Sequence, residues 1–297
     1  MVIGGGRFTY EVAEGWGKLP SGYEWGQVGA VAVDSQDRVY SFNRSAHPMM
    51  VFDRDGNLLS NWGESEIVNA HGICIGKDDS LYLVDRDAHV VMKCTLEGKV
   101  LFTMGNRGQP SDTGFTDDSP GVKQAAGPFN LPTDIAIGAS GDLYVSDGYR
   151  NARVHKFSAE GNLLFSWGEP GTTGPGQFNL PHSVWEASNG RVYVADREND
   201  RLQVFTPDGG HLATWDGFTR PTKLFVDGDD ILYVAELMGR VSICSLDGTV
   251  LARLGGEGSE NPDLFGAPHG VWTDSRGDLY VAEVLGSARL QKLVRKG

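Results

Sequence analysis

Residues 143–168 read LYVSDGYRNARVHKFSAEGNLLFSWG, and this stretch decides the fold. Apolar and polar residues alternate within LYVSD, RVHKF and LLFSW, which is the period of half-buried β-strands. Polar segments rich in Gly and Asn separate the three runs and are typical of tight turns. The stretch therefore predicts three consecutive antiparallel strands.

The same pattern recurs along the whole chain. Five further copies lie at 39–63, 81–105, 192–217, 232–256 and 279–294. A further apolar strand precedes each copy, as AVAVD, GICIG, DIAIG, SVWEA, KLFVD and GVWTD. Six units of four antiparallel strands predict an all-β fold, a six-bladed β-propeller.

The sixth copy ends after its third strand, and the N-terminus offers the missing one. FTYEVAEGWG (8–17) resembles the closing strand NLLFSWG (162–168). We expect residues 8–17 to form the outer strand of blade 6, because closing the ring removes an exposed strand edge. Residues 1–297 then form one propeller domain, with the polar segment 105–128 as a long rim loop.

One position near the start of each inner strand points to a metal site. In blades 1 to 6 it is occupied by Gly29, His71, Thr133, His182, Thr222 and His269. Alternate blades are about 120° apart around the axis, so the three histidines should converge in the channel. A lone histidine there would usually be a structural hydrogen-bonding residue, but three at equivalent positions favour metal binding. Three neutral imidazoles with an open fourth position suit catalytic zinc, so we expect one Zn²⁺ per chain.

Basic and phenolic residues should lie at the same rim as the histidines. They follow the second strands of blades 1 to 4 and are Arg44, His47, Arg86, Tyr149 and Arg197. In a chain of net charge −13 such a cluster predicts an anionic substrate. The alternative is that the arginines only form ion pairs with the neighbouring Asp85, Asp147 and Asp196.

Composition excludes other partners. A net charge of −13 argues against nucleic acid and anionic membranes, whose binding depends on neutralising phosphates. The start MVIGGGRFTYEV has no signal-peptide pattern, and no apolar run approaches membrane-spanning length. The three cysteines are far apart and lie in strand-like runs, which favours reduced thiols. We expect a cytoplasmic monomer.

Several segments resemble the catalytic core of peptidyl-α-hydroxyglycine α-amidating lyase, within the wider NHL-repeat propellers. They include SFNRSAH (41–47), FNLPHS (178–183) and FGAPHGV (265–271), with DGYRN and ADREN as the most specific pair. The resemblance extends along essentially the whole chain.

The resemblance implies a zinc-dependent carbon–nitrogen lyase that splits a carbinolamide carboxylate into an amide and glyoxylate. His71, His182 and His269 would be the zinc ligands. Tyr149 would accept the hydroxyl proton, and Arg44 and Arg197 would be functional arginines.

The resemblance also implies a calcium ion bound by the carbonyls of Val31 and Ile73 and by an aspartate after the third histidine. Gly270 occupies that last position, which argues against calcium. Because no hydroxylating domain accompanies the chain, a small metabolite is a better expected substrate than a hormone-like peptide.

Two further functions stay open from the sequence. One is a metal-dependent hydrolase of lactones or esters, in which a metal-bound hydroxide attacks a carbonyl. The other is a non-catalytic NHL interaction module. In the lyase hypothesis, Arg86 and His47 would help to bind substrate, and the acid that protonates the leaving nitrogen would be His47 or a metal-bound water.

Overall fold

The computed structural model describes residues 1–257, 261 and 263–297. The described residues form 27 β-strands and two short 3₁₀ helices, Arg197–Asn199 and Leu285–Ser287. The chain opens with β1 (Val2–Gly5) and β2 (Phe8–Val12). Blade 1 contains β3 (Gln27–Val33), β4 (Val39–Arg44), β5 (Met49–Phe52) and β6 (Leu58–Trp62). Blade 2 contains β7 (Ala70–Ile75), β8 (Leu81–Asp85), β9 (Val90–Cys94) and β10 (Val100–Gly105).

The remaining blades repeat this arrangement. Blade 3 contains β11 (Pro132–Ile137), β12 (Leu143–Asp147), β13 (Arg153–Phe157) and β14 (Leu163–Trp167). A small parallel pair follows, β15 (Glu169–Pro170) and β16 (Gln177–Phe178). Blade 4 contains β17 (Pro181–Glu186), β18 (Val192–Asp196), β19 (Arg201–Phe205) and β20 (His211–Trp215). Blade 5 contains β21 (Pro221–Val226), β22 (Ile231–Glu236), β23 (Arg240–Ser245) and β24 (Val250–Gly255). Blade 6 contains β25 (Pro268–Thr273), β26 (Leu279–Glu283) and β27 (Arg289–Arg295).

Blades 1 to 5 are antiparallel meanders whose strands follow one another in sequence order, and blade 6 has the order β25–β26–β27–β2–β1. The predicted six-bladed all-β propeller is confirmed. Large side chains fill the space between blades because the second strand of each blade is covered on both faces. This strand carries a buried tyrosine near its start in every blade, namely Tyr40, Tyr82, Tyr144, Tyr193, Tyr233 and Tyr280.

The N-terminal segment closes blade 6, as expected. Strand β2 pairs antiparallel with β27, with Tyr10 opposite Arg295. The structure differs in extent: the strand ends at Val12 rather than continuing to residue 17, and β1 adds a fifth strand outside it. The segment after β2 leaves the sheet, and the Trp16 ring packs between blades 1 and 6, 5.6 Å from Phe52 and 5.3 Å from Tyr280.

The expected rim loop lies against blade 3. Strand β10 ends at Gly105, and residues 106–128 contain no strand or helix. Arg150 holds this loop through an ion pair with Asp117 (2.8 Å) and by stacking on the ring of Phe115 (4.4 Å to the centroid). No helix among the described residues is long and apolar enough to cross a membrane. Cys74, Cys94 and Cys244 are buried and unpaired, as expected.

Candidate metal centre

All six inner strands contain a β-bulge at the same position. Pairing with the second strand skips one residue in each blade. The skipped residues are Gly29, His71, Thr133, His182, Thr222 and His269. They lie one or two residues inside the strand rather than at its first position. A bulge residue has no partner across the ladder and can turn its side chain in a new direction.

The three histidines meet around the channel axis. Their ring centroids lie 4.9 Å (His71–His182), 4.8 Å (His71–His269) and 4.7 Å (His182–His269) apart. All three side chains are buried, and their ligand atoms lie within 4.8 Å of one another. They border a cavity of about 10 Å³, which is about the space of one small ion or water. The convergence predicted from the repeat is therefore present.

Backbone carbonyls fix the orientation of each imidazole. Each Nδ1 lies 2.6 to 2.7 Å from the oxygen of the bulge residue in the next blade. The pairs are His71 with Thr133, His182 with Thr222, and His269 with Gly29. Because a carbonyl can only accept a hydrogen bond, Nδ1 carries the proton and Nε2 keeps its lone pair for a hydrogen bond or a metal. Second-sphere bonds of this kind orient histidine ligands in metal sites.

The three blades without a histidine support the other three. A Cβ on Gly29 would lie 2.7 Å from the backbone oxygen of Ala70, so only glycine fits there. Thr133 and Thr222 direct their hydroxyls to carbonyls of the next blade, at 2.8 Å from Pro181 and 3.0 Å from Pro268. Blades with a histidine at the bulge thus alternate around the ring with blades that have glycine or threonine there.

Burial keeps the three histidines neutral. Desolvation lowers the pKa of His71 and His182 well below the usual 6.5, and lowers that of His269 to about 3. Neighbouring positive charge adds to the effect, chiefly Arg197 at His182 and Arg44 at His269. Neutral imidazole is the form that binds metals. The three histidines could therefore hold a metal ion.

Tyr149 covers one face of the histidine triangle. Its Oη lies 3.1 Å from Nε2 of His71 and 3.3 Å from Nε2 of His182. Arg197 donates a hydrogen bond from Nη1 to the same oxygen at 3.3 Å. The guanidinium carbons of Arg86 and Arg197 lie 4.9 and 5.3 Å from the phenol ring centroid. Tyr149 is thus held between two cations and next to Nε2 of His71 and His182.

Arg44 is a half-buried cation with one buried, unpaired donor. Its Nε donates to the oxygen of Ala70 at 3.0 Å and its Nη1 donates to Oε1 of Gln27 at 2.9 Å. Its Nη2 is buried and has no hydrogen-bond partner in the described part of the chain. Burial lowers its pKa, and Tyr149 and Arg86 are its main electrostatic neighbours. A buried unpaired donor is costly, so an oxygen of a bound anion would stabilise this arrangement.

The other two arginines form ion pairs, although not with the aspartates considered above. Arg86 binds Asp87 and Arg197 binds Glu198, through Nε at 2.7 and 2.8 Å. The strand-end aspartates instead accept backbone N–H groups of the loop before the inner strand: Asp85 from Asn69, Asp147 from Asn130, and Asp196 from Asn179. Their role is to stabilise turns.

His47 does not join this cluster. Its ring stacks on Tyr23 with centroids 3.9 Å apart, and its Nδ1 lies 3.2 Å from Oε1 of Glu64 and 3.3 Å from Nδ2 of Asn61. These neighbours lie beside β6, the outer strand of blade 1. The expectation that His47 binds substrate or acts as the acid is therefore not supported by its placement.

A buried ion pair lies one residue beyond the bulge and was not anticipated. Nζ of Lys223 lies 2.7 Å from both carboxylate oxygens of Asp134, and Ser183 donates to Asp134 at 2.5 Å. The sequence could have indicated this pair, because Asp134 in TDIAI and Lys223 in TKLFV occupy equivalent positions of two inner strands. Lys223 also donates to the oxygen of Ile73 at 3.3 Å. Its positive charge beside that carbonyl disfavours calcium there, and the absence of calcium stays a prediction.

Comparisons with known proteins place this fold and site in context. The NHL repeat family model matches residues 129–157 and 178–205. Human NHL repeat-containing protein 3 is 31% identical over 97% of this chain and 85% of its own length. Peptidyl-alpha-hydroxyglycine alpha-amidating lyase 1 of Drosophila melanogaster is 31% identical over 52% of this chain and 28% of its own length.

Solved structures show the same fold. Virginiamycin B lyase from Staphylococcus aureus aligns over 97% of this chain and 100% of that chain, with a TM-score of 0.66 and 13% identity. The likeness to amidating enzymes is thus narrower than expected, since it covers 52 to 63% of this chain, whereas the likeness to NHL repeat-containing protein 3 covers 97%. The chain therefore belongs to the NHL-repeat family that includes NHL repeat-containing protein 3.

Proposed function

We propose that this protein is a metal-dependent carbon–nitrogen lyase that splits a small carbinolamide carboxylate, R–CO–NH–CH(OH)–COO⁻, into an amide and glyoxylate. The observation that carries the proposal is a triangle of neutral imidazoles, with Tyr149 over one face and the partly unpaired guanidinium of Arg44 nearby. The partial likeness to a protein named as an amidating lyase supports it.

The proposed metal is Zn²⁺, one per chain. Nε2 atoms of His71, His182 and His269 would hold it, because three imidazoles with an open position suit catalytic zinc and the described set contains no carboxylate. When bound, the ion would supply Lewis acidity to the substrate's hydroxyl oxygen.

The arginines would bind the substrate's carboxylate. Nη2 of Arg44 is the free donor, and a guanidinium can bind a carboxylate with directed N–H groups. Arg197 is partly neutralised by Glu198 and also donates to Tyr149, so its proposed role is to orient the phenol as well as the substrate. Arg86, paired with Asp87, would contribute positive potential above the centre.

Tyr149 would handle the proton. The step requires Tyr149 to enter as a phenolate, with Arg197 donating to its oxygen. Its Oη would then take the proton of the carbinol hydroxyl, a C=O bond would form as the C–N bond breaks, and the C–N electron pair would pass to nitrogen. Tyr149 would then return the same proton to the leaving nitrogen, so the number of protons balances. His47 is therefore not needed as the acid. Proton transfer by a positioned side chain is typically worth about 10²- to 10⁴-fold in rate.

The test is glyoxylate release from a panel of N-acyl- and N-carbamoyl-α-hydroxyglycines by zinc-loaded protein. We expect Tyr149→Phe to keep its zinc and to lose about 10²- to 10⁴-fold in kcat. Arg44→Ala should mainly raise KM. The matched control is Tyr23→Phe, which removes a phenol hydroxyl beside His47 and should keep full turnover. Absence of glyoxylate across the panel, or full turnover by the Tyr149 variant, would contradict the proposal.

The two other hypotheses predict different results. A lactone or ester hydrolase would release acid from a lactone panel and no glyoxylate from carbinolamides. A non-catalytic interaction module would carry no stoichiometric metal in the purified protein. Metal analysis with both panels therefore separates the three functions.

A further inference from the structure

A second polar cavity lies outside the channel, between the outer parts of blades 3 and 4. Its volume is about 830 Å³. Its side chains include Lys123 from the rim loop, Arg153 and Trp167 from blade 3, and His211 from blade 4, with Glu169 as an acidic member. None of these residues belongs to the candidate metal centre. We call this cavity the blade-3/4 pocket.

The repeat shows why Arg153 is unusual. The third strand of blades 3 to 6 begins with an arginine in each case: Arg153, Arg201, Arg240 and Arg289. In blades 4 to 6 this arginine binds the carboxylate at the end of the second strand through Nε. The pairs are Arg201–Asp196 (2.8 Å), Arg240–Glu236 (2.8 Å) and Arg289–Glu283 (2.6 Å).

Blade 3 breaks this pattern, since Asp147 has other partners and does not bind Arg153. Asp147 accepts hydrogen bonds from the side chain of Asn151 (2.8 Å) and the backbone of Asn130 (3.0 Å), and it lies 3.3 Å from Nε2 of His155. Arg153 instead donates from Nη1 to the oxygen of Gly168 at 2.9 Å.

Arg153 is therefore a cation that forms no ion pair with a described residue. Its Nε is buried and has no hydrogen-bond partner, and no described carboxylate forms an ion pair with it. Desolvation lowers its pKa, and no acidic neighbour offsets that effect. Partly burying a guanidinium without an anion costs free energy, and an anion in the pocket would recover it.

We propose that the blade-3/4 pocket binds a small organic oxyanion, a carboxylate or a phosphate. Arg153 supplies a planar guanidinium for oxygen ligands, Lys123 a second positive charge, and Trp167 an apolar wall for the ligand's body. The chain has a net charge of −13, so its overall field repels anions. The positive charges of Arg153 and Lys123 would make this pocket one place where an anion is attracted. This site is independent of the chemistry proposed for the channel.

The test uses calorimetric titration at low ionic strength, with inorganic phosphate and benzoate as separate probes. We expect one of them to bind, and Arg153→Gln to weaken it about tenfold or more, as loss of a charge-assisted pair would. Lys123→Gln should weaken it less. The control is Arg253→Gln, which removes the same charge from the outer strand of blade 5, where Arg253 also donates to a backbone oxygen. Binding should persist in metal-free His182→Ala.

Preference for phosphate or benzoate identifies which oxyanion the pocket takes. The proposal is overturned if neither probe binds at about ten-millimolar concentration, if Arg153→Gln and Arg253→Gln behave alike, or if binding disappears with His182→Ala. Lys123 is exposed on the loop, and its Nζ donates only to the oxygen of Pro120 (3.3 Å) among the described residues, so its variant remains informative even if the Arg153 variant unfolds.

Discussion

Deleting residues 1–17 tests how the ring is closed. The deletion removes β1, β2 and Trp16, and with them the buried side chains of Ile3, Phe8 and Tyr10, which are 3%, 4% and 0% exposed. Burying one large apolar side chain contributes about 1.5 to 3 kcal/mol, so three contribute about 5 to 9 kcal/mol. Domains have about 5 to 15 kcal/mol of stability in total, so most of it should be lost.

A shorter deletion provides the matched control. Removing residues 1–5 takes away only β1, in which Ile3 is the buried side chain, and should cost about 1.5 to 3 kcal/mol. Urea unfolding of the three proteins should give the order wild type, then the 1–5 deletion, then the 1–17 deletion. The longer deletion also exposes the edge of β27 and should aggregate, and a peptide of residues 1–17 should reverse this.

The outcome that would refute this reasoning is a 1–17 deletion that stays monomeric and unfolds within about 1 kcal/mol of wild type. Blade 6 would then be stable with three strands, and the pairing of Tyr10 with Arg295 would contribute little.

Three further predictions concern the channel. His182→Ala leaves two imidazoles, so zinc measured by mass spectrometry should fall far below one per chain while the circular dichroism is unchanged; full zinc content would rule out this ligand set. In metal-free protein the three histidines have lowered pKa values, so the unfolded chain takes up protons first as pH falls below about 6.5. The free energy of unfolding should then drop by up to about 1.4 kcal/mol per pH unit for each histidine, and for His269 the drop should continue toward pH 3. An unfolding free energy from urea titrations that stays constant from pH 7 to 5 would contradict this. Gly29→Ala should lower the free energy of unfolding by about 1 to 3 kcal/mol and weaken metal binding, because the new Cβ would lie 2.7 Å from a backbone oxygen of blade 2. Gly228→Ala is the control, since no atom lies within 4 Å of the Cβ it adds. Equal melting temperatures of the two variants would show that the channel adapts to the added methyl group.

The sequence by itself determined the blades and the convergence of the three histidines. Alternation within a strand and turns between strands are local properties, so each four-stranded unit is visible in its own segment. Because every unit folds alike, equal positions in the repeat become equal positions around the axis. This is why the sequence alone predicts that His71, His182 and His269 lie close together. By contrast, VIGG in β1 has no alternating pattern, and only its hairpin with β2 makes it a strand.

The tertiary structure alone decided the partners of the side chains. The oxygen that orients His71 is 62 residues away, and the lysine that binds Asp134 is 89 residues away. Such contacts depend on which rotamer fits between two blades, and repeat spacing carries no information about rotamers. The same reason explains why His47 turned toward Tyr23 and Glu64 instead of the channel. Sequence fixes where a residue lies around the ring, whereas packing between blades decides what its side chain binds.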